Sequence, residues 1–477
     1  MAKSSGNENP RVLLWLVAVG FFMETLDSTI INTALPTMAK SLGESPLDMY
    51  AVVIAYSLTI ALLIPASGWI ADRFGIRRTF MTAIILFGTG SILCAASQSL
   101  TQIVLSRVLQ GFGGAMLLPV GRLAVLRCFP KEKFLEAISF VAIPGLLGPL
   151  IGPTLGGLLA EAASWHWIFL INIPIAVVGC IATRLYMPQI ESAPARPFDV
   201  SGYLMLATTM VTISLALEGL SGLGFQHATV TVLMVFGLAG LIGYGLHAAR
   251  ATDPLFSLDL FKTRTFTIGL AGNLFSRIGS SGVPFLVPLL LQLSLGYSPM
   301  QAGLTMIPIA AAAILAKRIA TRVILKIGYR RFLVVNTLLV GGMIASFAFI
   351  SREEPVWLRV IQLGLFGIVN SLQFSAMNSL TLRDLDPRGA SSGNSLFSMV
   401  QMLALSFGVS ASGALLATFT EQYGGLQNGV NPINAFHATF VCIGLMTCAS
   451  AWIFWQLSPT SREDKKPPKG PQLEMHS

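Results

Sequence analysis

Fourteen apolar runs, each about long enough to cross a bilayer, follow one another along this chain of 477 residues. The runs lie at residues 12–36, 48–70, 79–97, 101–122, 137–160, 165–187, 201–220, 228–249, 266–293, 300–324, 331–350, 356–380, 393–418 and 435–457. Only 11% of the residues are charged and the mean hydropathy is +0.71, so the chain lacks the polar surface of a water-soluble enzyme. We therefore expect an all-α polytopic membrane protein with 14 transmembrane helices.

The basic residues indicate how the chain crosses the membrane. Of the 31 Lys and Arg residues, 25 lie at the N-terminus, in the tail or at the loops after even-numbered runs. Basic residues concentrate on the cytoplasmic side of a membrane protein. We therefore expect both termini in the cytoplasm and the protein in a bacterial inner membrane. The first run shows no clear small-residue cleavage site, which favours a transmembrane helix over a signal peptide.

A short repeat indicates two related halves. The sequence GIRR at 75–78 recurs as GYRR at 328–331, an offset of 253 residues. This offset pairs runs 1–6 with runs 9–14 and leaves two inserted helices between them. Two six-helix halves around a substrate path are typical of transporters that work by rocking. The expected order is a cytoplasmic N-terminus (1–11), an N-terminal half (12–187), a linker with two inserted helices (188–250), a C-terminal half (251–457) and a disordered tail (458–477).

The loop after the second run combines glycines, an acid and arginines. Gly68 permits close helix approach and Gly75 permits a turn with positive φ. Asp72 can accept hydrogen bonds from neighbouring arginines or from a helix N-terminus. In the second copy Leu325 replaces the acid and Thr321 replaces the first glycine, so a gating contact here would be asymmetric. The alternative is that Asp72 only terminates a helix.

Four segments carry a family resemblance. Residues 68–78 resemble the G-x-L-a-D-r-x-G-r-r signature of the major facilitator superfamily. Residues 26–36, 107–111 and 148–157 are similar to motifs of its drug:proton antiporters, the first to those of the fourteen-span EmrB/QacA-type branch. Stretches such as SWHWIFLINIP and LFKTRTF are similar to an enterobacterial subgroup of that branch. The resemblance implies a major facilitator fold and proton-driven export of drug-like molecules.

The resemblance also implies roles for particular residues. It places the gating loop at Gly68, Asp72, Arg73, Gly75, Arg77 and Arg78. It places an antiporter hinge at Gly148, Gly152, Pro153, Gly156 and Gly157, for which ordinary tight helix packing is the alternative.

Two acids lie at membrane depth in the first run. Glu24 and Asp27 are three residues apart and so share one helix face, about 18 and 22 Å into the run. Ionisable groups in a membrane are functional by default, which favours proton coupling by one or both. Arg107 in run 4 can reach the same depth and either takes part in proton transfer or holds the acid in an ion pair. The alternative for the acids is a permanent structural pair.

Once the basic residues near the loops are assigned to the loops, three arginines remain within the runs: Arg107, Arg122 and Arg277. The last two need an explanation. Arg122 lies at the cytoplasmic end of run 4, where we expect it only to anchor the helix. Arg277 lies about 18 Å into run 9, with no acid in that helix. Because a buried cation without a partner is costly, we expect Arg277 to line a substrate cavity. We assign Asn273, Asn32 and Gln110 to the same cavity.

The sequence contains no phosphate-binding loop, nucleophile elbow or His/Cys cluster, so we expect no cofactor, no metal and no enzymatic activity. We expect the partners to be a small-molecule substrate, protons and the lipid bilayer. Nucleic acid is not expected, and the protein is expected to be a monomer. The favoured function is multidrug-type efflux by alternating access. The alternatives are export of an organic anion or metabolite, motivated by the arginines within runs, and a non-transporting membrane sensor or scaffold.

Overall fold

The computed structural model describes residues 10–31, 34–44, 48–189, 197–219, 226–386, 389–423 and 432–458. Every regular element within these residues is helical. The first nine helices are α1 (Pro10–Ile30), α2 (Leu35–Leu42), α3 (Tyr50–Leu63), α4 (Ser67–Phe74), α5 (Ile76–Ala96), α6 (Leu100–Cys128), α7 (Lys131–Ala162), α8 (Trp167–Leu170) and α9 (Asn172–Tyr186). The remaining ten are α10 (Val200–Glu218), α11 (His227–Ala248), α12 (Arg264–Leu293), α13 (Pro299–Thr305), α14 (Ile307–Ile327), α15 (Tyr329–Ser346), α16 (Val356–Leu382), α17 (Ala390–Gln422), α18 (Ile433–Ala449) and α19 (Ala451–Trp455). Short 3-10 turns lie at Ile64–Ala66, Leu258–Lys262 and Phe347–Phe349.

Within the described residues, 12 helical segments are long and apolar enough to cross a membrane. The expected count of 14 is not confirmed, because the runs at 137–160 and 300–324 are not among these segments. The first of these runs lies in α7, whose side chains are described only in part. The second is divided between α13 and α14, and its apolar part ends at Ala316, before the basic residues of α14.

The packing of the helices repeats between the two predicted halves. In the first, α1 packs on α7, α3 on α6 and α5 on α9. In the second, α12 packs on α17, α14 on α16 and α15 on α18. Each pair in the second half corresponds to the pair in the first half that lies eight predicted runs earlier. The helix contacts therefore follow the repeat that the sequence indicates. The exact boundaries of the halves stay a prediction.

The two repeated glycines share one backbone conformation. Gly75 has φ 84° and ψ 141°, and Gly328 has φ 83° and ψ 148°. Each lies between two helices, where only glycine adopts a positive φ without strain. The short GxRR sequence therefore encodes the same tight turn twice.

The helices α10 and α11 form a hairpin at the side of the bundle. The helix α10 packs against α3 of the first half and α17 of the second. Ser410 on α17 donates its hydroxyl to the carbonyl of Leu217 on α10 at 2.9 Å. Most of α11 is exposed, including Phe236 and Ile242. An apolar exposed face of this kind suits contact with lipid.

Candidate functional site

A buried carboxylate on α1 is held by donors from two other helices. Asp27 is 1% exposed and forms an ion pair through its Oδ2 with Nη1 of Arg107 on α6, which is 0% exposed. Its Oδ1 accepts hydrogen bonds from Nε2 of Gln110 at 2.8 Å and from Nδ2 of Asn172 at 3.0 Å. Asp27 therefore accepts three hydrogen bonds, a number that stabilises an ionised carboxylate. We call these four residues the Asp27 cluster.

A second layer of side chains fixes the donors of the Asp27 cluster. Ser91 on α5 accepts from Gln110 at 2.9 Å and from Asn172 at 3.4 Å. The guanidinium carbon of Arg107 lies 4.0 Å from the ring centre of Tyr56 on α3. Its Nη1 also donates to Oε1 of Gln110 at 2.7 Å. Four helices besides α1 thus converge on one buried acid.

Glu24 lies one turn before Asp27 and has a different environment. It is half-buried and has no ion pair among the described residues. Its charge is close enough to interact with those of Asp27 and Tyr56. The two acids therefore share a region of the protein, but only Asp27 is enclosed by donors. The proton-coupling role of either acid stays a prediction.

Two members of this region differ from the sequence interpretation. Asn172 was assigned no role from the sequence. Its position as a polar residue within the apolar run 165–187 is the signal that could have identified it. Gln110 was expected in the substrate cavity. It lies instead in the Asp27 cluster, with both ends of its amide hydrogen-bonded. Ser91 gave no signal, because serines are common in transmembrane helices.

The glycines of α7 pack against the helix that carries the two acids. A methyl group at Gly145, Gly148 or Gly152 would come closer than 3.0 Å to Phe21, Thr25 or Thr29 of α1, respectively. Small residues at three- and four-residue spacing allow this close approach. Further along α7, Gly156 is buried, whereas a methyl group at Gly157 would meet nothing within 4 Å. The side chain of Pro153 is outside the described residues, and the hinge role stays a prediction.

On the predicted cytoplasmic side, Asp72 connects the two halves. Its Oδ1 accepts from Nη2 of Arg127 at 2.6 Å and from the hydroxyl of Ser391 at 2.7 Å. Arg127 also donates to Ser391 at 2.7 Å, which closes a three-membered network. Arg127 lies in the last turn of α6, whereas Ser391 lies in the first turn of α17. We call these three residues the Asp72 network.

Close packing surrounds the Asp72 network. A methyl group at Gly68 would lie 2.6 Å from the carbonyl oxygen of Ser391, so no larger residue fits there without movement. The hydroxyls of Ser67 and Ser395 are 2.8 Å apart, and Asn394 donates to the carbonyl of Pro119 at 2.7 Å. Of the other predicted gating residues, Arg73 and Arg78 are exposed and Arg77 donates to the carbonyl of Arg184. The predicted asymmetry cannot be followed at Leu325 and Thr321, whose side chains lie outside the described residues.

The prediction that Arg122 only anchors its helix is wrong. Arg122 is 1% exposed, and its Nη2 donates to Oε1 of Gln401 on α17 at 2.5 Å. Its guanidinium carbon lies 4.8 Å from the ring centre of Phe397, and Nη1 reaches the hydroxyl of Ser398 at 3.4 Å. The side chain turns toward the other half of the protein rather than toward the membrane surface, because α17 offers neutral acceptors there.

Arg277 on α12 is the counterpart of Arg122 from the other half. Its Nε and Nη1 are buried and have no hydrogen-bond partner among the described residues. Its guanidinium carbon lies 4.7 Å from the ring centre of Phe374. The charges of Arg122 and Arg277 are close enough to repel each other. We call these two residues the arginine pair.

The structure describes one of the two other predicted cavity residues, Asn273. Asn273 is fully buried on α12 and donates to the carbonyl of Gly269 at 3.0 Å, while its Oδ1 has no partner among the described residues. Asn32 lies outside the described residues. Within the described part of the chain, no three His, Cys, Asp or Glu side chains are grouped as they would be around a metal ion.

An all-helical membrane bundle with a buried acid–arginine pair and contacts between two repeated halves is the architecture of a secondary transporter. The family model for the Major Facilitator Superfamily matches residues 17–409. The chain belongs to the major facilitator superfamily, and it is a transporter rather than an enzyme.

Curated relatives cover nearly the whole chain. It is 49% identical over 445 residues to "Putative multidrug resistance protein MdtD" of Serratia proteamaculans (strain 568), covering 92% of each chain. It is 49% identical over 449 residues to the protein of the same name from Escherichia coli (strain K12), covering 94% of each. The resemblance to an enterobacterial subgroup is thereby confirmed.

Solved structures share the fold at low identity. The human organic anion transporter MFSD10 (TETRAN) aligns with a TM-score of 0.66 at 14% identity, over 94% of this chain and 100% of that chain. The proton:xylose symporter XylE, bound to 6-bromo-6-deoxy-D-glucose, aligns with a TM-score of 0.62 at 14% identity, over 93% and 95%. At this identity the likeness shows the fold alone.

Proposed function

We propose that this protein exports small molecules of the multidrug type across the bacterial inner membrane, driven by inward proton flow. The proposal includes fourteen membrane-spanning helices with both termini in the cytoplasm, and the halves at 12–187 and 251–457. The observation that carries it is the buried Asp27 cluster. A carboxylate enclosed at membrane depth is costly unless it has a function, and a reversible proton site is a function that fits.

Asp27 suits a proton carrier because its environment depends on its charge. As a carboxylate it forms the ion pair with Arg107 and accepts from two amides. When a proton neutralises it, the ion pair to Arg107 is lost and the contact between α1 and α6 is weakened. A proton from the periplasm thus changes a contact between helices, which is the requirement for coupling proton binding to a change of conformation.

The Asp72 network supports alternating access. It joins the ends of α4 and α6 to the first turn of α17, so the predicted cytoplasmic ends of the two halves are held together. In our proposal this conformation is closed toward the cytoplasm, and these hydrogen bonds break when the transporter opens inward. The buried glycine at position 68 permits the closed contact.

The test is proton movement by the purified protein in liposomes. Substrate added on one side should drive proton movement in the opposite direction, measured with a pH-sensitive dye enclosed in the vesicles. The panel contains lipophilic cations and organic acids, and liposomes without protein give the background. If no compound moves and no protons move with any member of the panel, the transport proposal is wrong and a sensor or scaffold role is favoured.

A second candidate function is export of an organic anion or metabolite. The arginine pair favours it, because Arg122, which is buried, and Arg277, which has two buried nitrogens, come from opposite halves and have no acid beside them among the described residues. An anionic substrate would supply the missing charge, and Phe374 and Phe397 would contact its apolar part. The same liposome panel separates the two candidates by the charge of the compound that drives proton movement.

A further inference from the structure

Two buried polar atoms of the Asp27 cluster have no hydrogen-bond partner among the described residues: Nη2 of Arg107, which is a donor, and Oδ1 of Asn172, which is an acceptor. The other end of the same amide, Nδ2, donates to Oδ1 of Asp27 at 3.0 Å. A buried acceptor without a donor costs about 1–3 kcal/mol, so it calls for an explanation. Asn172 is 1% exposed, which leaves little access for bulk water to satisfy this atom.

The second amide in the cluster is different. Gln110 donates through Nε2 to Asp27 and Ser91, and its Oε1 accepts from Arg107 at 2.7 Å. If the amide of Gln110 turned over, its nitrogen would face the guanidinium of Arg107 and this hydrogen bond would be lost. Gln110 is therefore fixed in one orientation. Asn172 has no bond to lose at its oxygen, and a turn of its amide gives up only the long hydrogen bond of 3.4 Å from Nδ2 to Ser91 besides the one to Asp27.

A proton on Asp27 changes the hydrogen-bond partners that the carboxyl group requires. Oδ2 faces the donors of Arg107, so the proton binds at Oδ1, where it converts an acceptor into an O–H donor. That O–H requires an acceptor, and the present neighbours of Oδ1 are the N–H groups of Gln110 and Asn172. A half-turn of the Asn172 amide replaces its N–H by its free oxygen. The number of hydrogen bonds between Asp27 and Asn172 then stays the same.

We propose that Asn172 is a positioning residue whose amide turns over when Asp27 takes up a proton, donating to the carboxylate and accepting from the carboxylic acid. This inference rests on the proposed proton-coupled function. The proton comes from periplasmic water, forms an O–H bond with Oδ1 and leaves later toward the cytoplasm. Neutralisation removes the ionic attraction between Asp27 and Arg107, whereas the hydrogen bond between Asp27 and Asn172 is kept. Proton uptake therefore weakens the contact between α1 and α6 and preserves the one between α1 and α9.

Few other charged or titratable groups face Asp27. They are Glu24 on its own helix, Tyr56 on α3, Cys94 on α5 and Arg107 on α6. Among the described residues, α7 and α9 present no ionisable side chain to Asp27. Asn172 is thus the neutral group on α9 that responds to the proton.

The experiment is infrared difference spectroscopy of the reconstituted protein between neutral and acid pH. In the wild type, acid should produce a carbonyl band of a protonated carboxyl group that is absent from Asp27→Asn. In Asn172→Leu this band should move to higher wavenumber, because the acid has lost its acceptor. In Asn172→Ser, whose hydroxyl both donates and accepts, the band should lie close to the wild-type position.

Transport provides the second readout. We expect Asn172→Leu to lower the initial rate of proton-driven export about 5- to 10-fold, and Asn172→Ser to stay within about 2-fold of the wild type. The matched control is Asn336→Leu on α15, another buried asparagine, which donates to the carbonyl of Val369 and to Gln373. This control should leave the carboxyl band unchanged.

The outcomes separate this inference from the proposed function. If the wild type shows neither a carboxyl band nor proton uptake, proton coupling through Asp27 itself fails. If the band is present, is lost in Asp27→Asn and keeps its position in Asn172→Leu, only the role of Asn172 is overturned. If Asn172→Leu does not fold, the spectra of the wild type test the role of Asn172. Acid pH must then shift the side-chain carbonyl band of an asparagine in the wild type. The same shift must be absent from Asp27→Asn.

Discussion

Two sites in this protein bury arginines, and they differ in what balances the charge. Arg107 is 0% exposed and is paired with Asp27. Arg122 is 1% exposed and has only neutral partners, and Arg277 has two buried nitrogens without partners among the described residues. The first site has its positive charge balanced within the protein. The second lacks a negative charge, and we propose that the substrate supplies it.

Physical chemistry explains why the two sites respond differently to change. Removing one partner of a buried ion pair leaves an uncompensated charge, which is strongly destabilising. Removing the cation at the second site leaves no opposite charge behind, only neutral acceptors without their donor, and such a loss costs about 1–3 kcal/mol. The same substitution should therefore be more destabilising at the first site than at the second, which makes the comparison testable.

The largest effect is expected from removing the acid of the first site. Asp27→Asn should abolish export driven by a pH gradient, because the substitution deletes the proton site. We expect the protein still to insert and fold, since the amide oxygen of Asn accepts from Arg107, but with lower stability than the wild type because the charge of Arg107 is left uncompensated. Export in proteoliposomes with an imposed pH gradient measures this. The surface variant Asp259→Asn, in an exposed ion pair with Lys262, serves as the control. Full gradient-driven export by Asp27→Asn would move proton coupling to Glu24 or elsewhere.

The next effect tests the comparison through stability. Arg107→Met should destabilise the protein by about 3–5 kcal/mol because Asp27 loses its counter-charge. Arg122→Met should destabilise it by no more than about 1–3 kcal/mol, because only the neutral acceptors Gln401 and Ser398 lose a donor. Thermal unfolding of both variants in the same detergent compares them directly. Equal destabilisation by the two substitutions would contradict the view that only the first site is balanced.

A smaller effect concerns the charge of the substrate. Arg277→Gln should weaken binding of an anionic substrate by about 2 kcal/mol, roughly 30-fold, through the loss of charge-assisted hydrogen bonds. For a lipophilic cation the same substitution should leave affinity unchanged or improve it. Equilibrium binding of one anion and one cation to wild type and variant gives the answer, with the exposed Arg352→Gln as the control. Equal affinities in all combinations would show that Arg277 does not line the binding site.

The smallest effect on binding is expected at the Asp72 network, which lies away from both buried sites. Asp72→Asn weakens the hydrogen bonds from Arg127 and Ser391, so turnover should fall several-fold while substrate affinity stays nearly constant. Transport rates and equilibrium binding, measured on the same preparation, separate the two quantities. An affinity loss as large as the loss of turnover would count against a gating role.

The predicted cytoplasmic turns show which structural features the local sequence can predict and which it cannot. Gly75 was expected to adopt a positive φ, and it does so at 84°. Gly68 was expected at a close helix contact, and the contact is with Ser391, more than 300 residues away in the sequence. The sequence identified the glycines because few residues tolerate these environments. It could not identify Ser391, since serine has no such restriction.

The sequence by itself determined that the chain is a helical membrane protein, that it repeats and that it places acids and arginines at membrane depth. These properties follow from the cost of exposing charges and peptide groups to lipid, which acts on each helix separately. Only the tertiary structure decided the partners. It turned Arg122 toward Gln401, brought Asn172 to Asp27 and took Gln110 out of the expected cavity. The physical reason is that hydropathy fixes which segments enter the membrane, whereas the rotation of each helix and its neighbours depend on packing between segments far apart in the chain.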